Sequence, residues 1–245
     1  MIIAACISAL SNVSHAQVSL APEIGLNLAN IHQRYTDISG ETKNANGGLK
    51  LGVKAGVNAD IMLGNRIALQ PGLFYSIKGA KIDDDPVTIS GITYQNKNNI
   101  TLHYFEIPVN VQYYFNDPSE GRFFVGLGAY VGVAFSGKNK LVGHVSPGTD
   151  KDTVIKYKFG DDYPSNDLRR FDFGAAANVG YMLRSGIFFR GMYQLGITNL
   201  VPGGNRPDYA ADDKATNSVV TISVGKQFGN TPRSKGPRMH GSYAE

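Results

Sequence analysis

Three groups of residues in this chain have types and spacings that carry chemistry. Oxygen-rich runs stand at "DDDP" (Asp83 to Pro86) and "GDDYPSND" (Gly160 to Asp167), and clustered carboxylates are what Ca²⁺ takes up. Neither run has the ligand spacing of a calcium loop, so solvated loops account for them and no metal or cofactor is expected. His103, His144, Asp161 and Asp162 are the groups a hydrolase would use. The two histidines lie on separate segments with no paired spacing, so no catalytic set is assigned. The third group is a row of charges, Glu23, Lys50, Lys54, Asp60, Arg66, Lys78, Glu106, Asp172 and Arg190, recurring within otherwise apolar segments. Glu106 beside Tyr104 is a candidate buried acid, but a salt bridge to Arg190 or Lys54 is the simpler reading.

What positions those charges is a period of two. In "LKLGVKAGVNADIML" (Leu49 to Leu63) the odd positions are apolar and the even ones are Lys, Gly, Asn or Asp. That alternation marks a β-strand with two unlike faces. The same reading predicts eight segments, at about 18–31, 47–63, 66–79, 101–115, 123–137, 169–183, 187–200 and 217–229. Long connections (32–46, 80–100, 138–168, 201–216) alternate with short ones (Gly64-Asn65, Asn116 to Arg122, Arg184 to Gly186). Outer-membrane barrels alternate in this way, with short periplasmic turns and longer outside loops.

Facing decides between a membrane barrel and a soluble one. Phe105, Ile107, Val109 and Val111 share one face of their segment, against Glu106, Asn110 and Gln112, and Phe123, Val125 and Leu127 oppose Gly126 and Gly128. Eight strands enclose a space just wide enough for side chains. The glycine-rich polar face therefore belongs inside and the bulky apolar face outside, against lipid. Tyr113, Phe115, Phe123, Phe135, Phe171 and Tyr181, toward segment ends, predict an interfacial aromatic girdle. The charged row, four acids and five bases, is then expected to form a polar network that fills the lumen and leaves no open pore. Pro22, Pro71 and Pro108 each remove a ladder donor, and bulges are expected to accommodate them.

The 245 residues contain no interior run of eighteen apolar residues, which rules out a helical span but not a strand-built one. Residues 1–16 read as a signal peptide, whose removal takes Cys6, the one cysteine, with it. Residues 17–229 read as the barrel and 230–245 as a periplasmic basic tail containing Arg233, Lys235 and Arg238. The formal charge of +4 owes much to that tail, and no aromatic-interleaved basic groove points to nucleic acid.

"YFEIP" (Tyr104 to Pro108), "GAYVG" (Gly128 to Gly132) with "SGK" (Ser136 to Lys138), "DFG" (Asp172 to Gly174) and "YQLGITNL" (Tyr193 to Leu200) together resemble the PorT-like outer-membrane β-barrel family of Gram-negative bacteria with a type IX secretion system. The resemblance spans roughly 17–229 and implies an eight-stranded antiparallel up-and-down transmembrane barrel in the outer membrane, with one namesake taking part in secretion. The β-like runs "VTISGITYQ" (Val87 to Gln95) and "VIKYKF" (Val154 to Phe159) predict stiff hairpins within 80–100 and 138–168 that offer strands to a protein partner. The expected role is a non-enzymatic anchor or accessory binding protein embedded in outer-membrane lipid. A small channel is the alternative, followed by an outer-membrane hydrolase.

Overall fold

The computed structural model describes residues 18–36, 41–83, 86–116, 121–162, 165–204 and 213–229. The signal peptide and basic tail expected from the sequence lie outside them. Eleven strands form one antiparallel sheet: β1 (Val18–Thr36), β2 (Thr42–Asn46), β3 (Lys50–Met62), β4 (Ile67–Asp83), β5 (Val87–Ile89), β6 (Ile92–Tyr114), β7 (Arg122–Ser146), β8 (Lys151–Lys156), β9 (Phe171–Met182), β10 (Ile187–Gly196) and β11 (Lys214–Lys226). Setting aside β2, β5 and β8, each strand pairs with the next in chain order and β11 pairs with β1, so eight strands close an up-and-down barrel. Following the register once round from Ala21, through Tyr130 and Asn217, returns to β1 at Ile31, ten residues further along. With eight strands that stagger implies a tilt of about 40°.

The alternation in the sequence becomes an alternation of environment. On β6, Glu106, Asn110 and Gln112 are fully buried, while Phe105, Ile107, Val109 and Val111 are about half exposed; on β7, Leu127 is 70% exposed. An apolar wall of this extent would be an aggregation surface in water. In hydrocarbon it is the ordinary exterior of a transmembrane barrel. On β6, eight residues separate Tyr113, in the lower aromatic belt, from Phe105 in the upper one. At about 3.3 Å per residue and the tilt above, this spans about 20 Å along the axis, close to the apolar band of such barrels.

Bulky side chains are not confined to the outer face, as the facing argument expected. Phe74, Tyr104, Tyr114, Phe124, Tyr130 and Phe188 are buried inside. They fit because glycine stands beside them: a Cβ on Gly180 would run into the Phe124 ring, and one on Gly225 into that of Phe188. The prolines are accommodated differently from expectation too. Pro22 stays paired with Val57 and Pro108 with Tyr130, while the β3–β4 ladder lapses opposite Pro71 and the β4–β6 ladder lapses at Pro108, each resuming unshifted. The register shift in β6–β7 falls instead between His103 and Tyr104.

Strands β6 and β7 outrun the segments expected from the sequence, pairing as far as Thr93 with Ser146. Their extensions carry runs such as "NKNN" and "GKNK", which lack an apolar face and so gave no alternation to read. Strand β5 pairs with β6 across a two-residue turn, Ser90-Gly91, with φ of 53° and 79°, the twist-matched geometry of a tight hairpin. Strand β8 pairs with β7, giving a four-stranded sheet, β5-β6-β7-β8, beyond the long-loop end of the barrel.

Candidate functional site

The lumen holds the densest chemistry among the described residues. Its buried charges are Glu23, Asp60, Glu106 and Asp172 against Lys54, Lys78, Arg122 and Arg190. They sort into two quartets, each neutral. Toward the long-loop end, Glu106 accepts from Lys54 at 2.9 Å and Lys78 at 2.6 Å, and Lys78 also reaches Asp172 at 3.2 Å. Asp172 further accepts from Tyr130 and Asn217, and Lys54 donates to Gln194 Oε1 at 3.3 Å. Toward the short-turn end, Arg190 Nη1 meets Glu23 Oε2 at 2.9 Å and its Nη2 meets Gln70 Oε1 at 2.9 Å. Gln70 and Gln227 donate to Asp60 at 2.5 and 2.8 Å, and Arg122 Nη2 donates to Gln227 Oε1 at 3.3 Å.

Aromatic rings lie against these cations. Lys78 sits 4.3 Å from the Tyr130 centroid, Arg122 3.9 Å from that of Tyr114, and Arg190 5.1 Å from that of Phe188. Removal of charge from water is thus offset by opposite charge, amide donors and ring faces together. The Asn110 and Asn178 amides reach no partner among the described residues, and such groups are the usual hosts of buried water.

An apolar cluster lies at each end of this polar belt. At the short-turn end Ala21, Ala68, Tyr114, Phe124, Met182 and Phe188 form an apolar cluster. At the other end Ile31, Ile100, Leu102, Tyr104 and Leu200 form a second, with Tyr157, Phe159, Leu168 and Val201 packed on it. Leu200 is fully buried although it lies in a loop. Its own backbone holds it there, Leu200 N donating to Ala215 O at 2.8 Å and Arg169 N donating to Leu200 O at 2.7 Å. Asp161 ties the two overlying loops together, accepting from Arg169 Nε at 2.6 Å and Gly203 N at 3.0 Å. The burial of Tyr157 in this cap pushes its phenol up to about 12.

Seven of the nine residues placed in the lumen from the sequence converge there: Glu23, Lys54, Asp60, Lys78, Glu106, Asp172 and Arg190. Two do not. Arg66 ends the short β3–β4 turn and is exposed, with Tyr113 Oη 3.5 Å from its Nη1 on the outer wall. Lys50 is half buried and donates to Asn99 Oδ1 on β6. Arg122, assigned to a turn in the sequence reading, is the cation that sequence reasoning missed. Its signal was its parity, since it shares the inward row with Phe124, Gly126 and Gly128.

The other chemistry-bearing residues hold separate partners. His103 faces the outer wall, where its Nδ1 lies 2.6 Å from Tyr75 Oη, and His144, near the exposed end of β7, meets Asp150 of the following loop at 2.5 Å. Asp162 lies in a backbone bridge to Gly204. Of "DDDP", Asp83 pairs in register with Lys97 at the end of β4, while Asp84 and Asp85 are outside the described residues.

A family model described as outer membrane protein beta-barrel domain matches residues 14–201. No curated protein matches the chain. Among solved structures, the attachment invasion locus protein Ail of Yersinia pestis, in complex with the heparin analogue sucrose octasulfate, is similar at 12% identity, with 86% of this chain and 99% of that one covered and a TM-score of 0.36. The N-terminal β-barrel domain of Pseudomonas aeruginosa OprF is similar at 12% identity, covering 87% of this chain and 100% of that one, with a TM-score of 0.33. The outer membrane protease OmpT of Escherichia coli gives 10% identity, coverage of 87% and 97%, and a TM-score of 0.35.

Proposed function

From the premise that this chain belongs to the outer membrane protein beta-barrel domain family, we propose that it is a non-enzymatic anchor, presenting the β5-β6-β7-β8 sheet to a protein partner in a secretion or surface-assembly complex. It lies in the outer membrane. The secretion context follows the PorT-like resemblance of its motifs. The observation that carries the reading is the contrast between the two ends of the structure. The lumen is filled by two neutral charge quartets between two apolar clusters, which opposes conduction, whereas the sheet above it ends in strands that pair on one side alone among the described residues. Strand β8 is exposed along its whole length, including Val154 and Ile155, and β5 exposes Val87 and Ile89. An open strand edge with apolar side chains suits β-augmentation by an extended segment.

A photoreactive amino acid at Val154 or Ile89 is expected to trap one and the same protein in intact cells. Ile155→Pro, which removes a donor from the β7–β8 ladder and so breaks the strand, is expected to abolish the adduct at Val154. Absence of an adduct at both edges sinks the proposal. His103, His144, Asp161 and Asp162 each engage a different partner, namely Tyr75, Asp150, Arg169 and Gly204, which supports the non-enzymatic reading.

The channel alternative makes an opposite prediction about the lumen. Purified barrel in planar bilayers is expected to give no unit current steps above leak, since Leu200 and Phe188 stand at opposite ends of the axis. Stepwise currents would transfer the function to conduction.

A further inference from the structure

Three lysines collect on the outer wall just above the upper aromatic belt. Thr101 and Lys138 are register partners on β6 and β7, as are Lys81 and Asn99 on β4 and β6. By alternation from the inward Ala80, Leu102 and Gly137, all four point outward. Lys50 reaches the same spot, donating to Asn99 Oδ1, and the charges of Lys81 and Lys138 crowd it there. Among the described residues no carboxylate lies within ion-pair distance of Lys50, Lys81 or Lys138, although Lys140 beside them pairs with Asp152 at 2.7 Å. Three like charges held together without a counterion raise one another's energy, so the site favours an anion.

What lies below the lysines says which anion. His103 is two residues under Thr101, hydrogen-bonded to Tyr75, and Phe105 stacks on Phe135 with centroids 4.7 Å apart. Beneath these begins the exposed apolar wall of Ile107 and Val109. Going down the wall, the order is cations, then aromatic rings, then aliphatic surface, which matches phosphate, sugar and acyl chain in that sequence. Outer-membrane barrels turn their long loops outward, which puts this column in the outer leaflet. We propose that Lys50, Lys81 and Lys138 bind the phosphate of an anionic outer-leaflet glycolipid whose acyl chains run down past His103, Tyr75 and Phe105.

Native mass spectrometry of the folded protein in detergent tests this with phosphorylated lipid A, the same glycolipid dephosphorylated, and inorganic phosphate. Phosphorylated lipid A is expected to bind one per barrel, and the dephosphorylated form much more weakly. The triple variant Lys50→Gln, Lys81→Gln, Lys138→Gln should weaken binding by about five-fold per lysine, about 100-fold in all. The charge-matched control Lys151→Gln, Lys158→Gln, Lys214→Gln should leave it unchanged, and heat-modifiable gel migration reports that each variant is folded. Equal binding of the dephosphorylated glycolipid, undiminished binding by the lysine triple variant, or displacement of the lipid by millimolar inorganic phosphate would each overturn the proposal.

Discussion

Glu106→Gln is expected to destabilise the barrel by about 3–5 kcal/mol, the cost of leaving a buried charge without its partner. Glu106 is fully buried and is the one carboxylate that both Lys54 and Lys78 touch. Once it is neutral, Lys78 keeps Asp172 at 3.2 Å, but Lys54 is left with the amide oxygen of Gln194 and the ring of Phe74. The upper quartet then carries one uncompensated positive charge. Adding Lys54→Met restores neutrality and fills the same space, so Glu106→Gln/Lys54→Met should recover more than half of the loss. Urea unfolding in lipid vesicles, read by heat-modifiable gel migration, measures both. A single variant within about 1 kcal/mol of the parent, or a double variant whose losses simply add, would show that the quartet does not hold charge as a unit.

The period of two made most of this lumen legible. Leu51 and Gly52, or Ile107 and Glu106, are neighbours in sequence and belong to different solvents, so their types alone declare which side is which. Legibility fails where the register slips. Lys54 pairs with Ser76, but Gly48 bridges Lys81, and the two pairings differ by one residue in step. A slip of one residue exchanges the faces of a strand, and Lys50, next to the slip, leaves the charge row and joins the outer wall. At Arg122 the failure is one of boundary, because a turn-rich run directly precedes a strand whose first inward residue is charged. At Leu200 it is one of topology. The run "YQLGITNL" reads as continuous strand, yet β10 ends at Gly196 and the chain curls over the barrel, driving Leu200 into a cluster with Ile31 and Leu102. Those contacts join residues far apart in sequence, and no local pattern encodes them.

The second large effect tests the outer wall itself. Val109→Arg is expected to cost about 2–4 kcal/mol in lipid vesicles, the penalty for a cation at the bilayer midplane. Val109 faces outward at 43% exposure, four residues above Tyr113 and four below Phe105, and pairs with Ala129 on β7 and Pro71 on β4. Among the described residues the outward row around Val109 carries no carboxylate to receive the guanidinium, so the side chain must climb toward a headgroup or drag water inward. Depth should grade the effect: Tyr113→Arg, at the aromatic belt, should cost no more than about 1 kcal/mol. Tyr94→Arg, on the part of β6 beyond the lysine rim, should fall within about 0.5 kcal/mol of the parent. If water bathed the wall, all three would be near neutral, because Arg on an exposed strand face loses little. The ordering of the three along one strand therefore separates hydrocarbon from water without reference to the lumen. Equal, small effects at all three depths would mean that the apolar row of β6 faces no membrane.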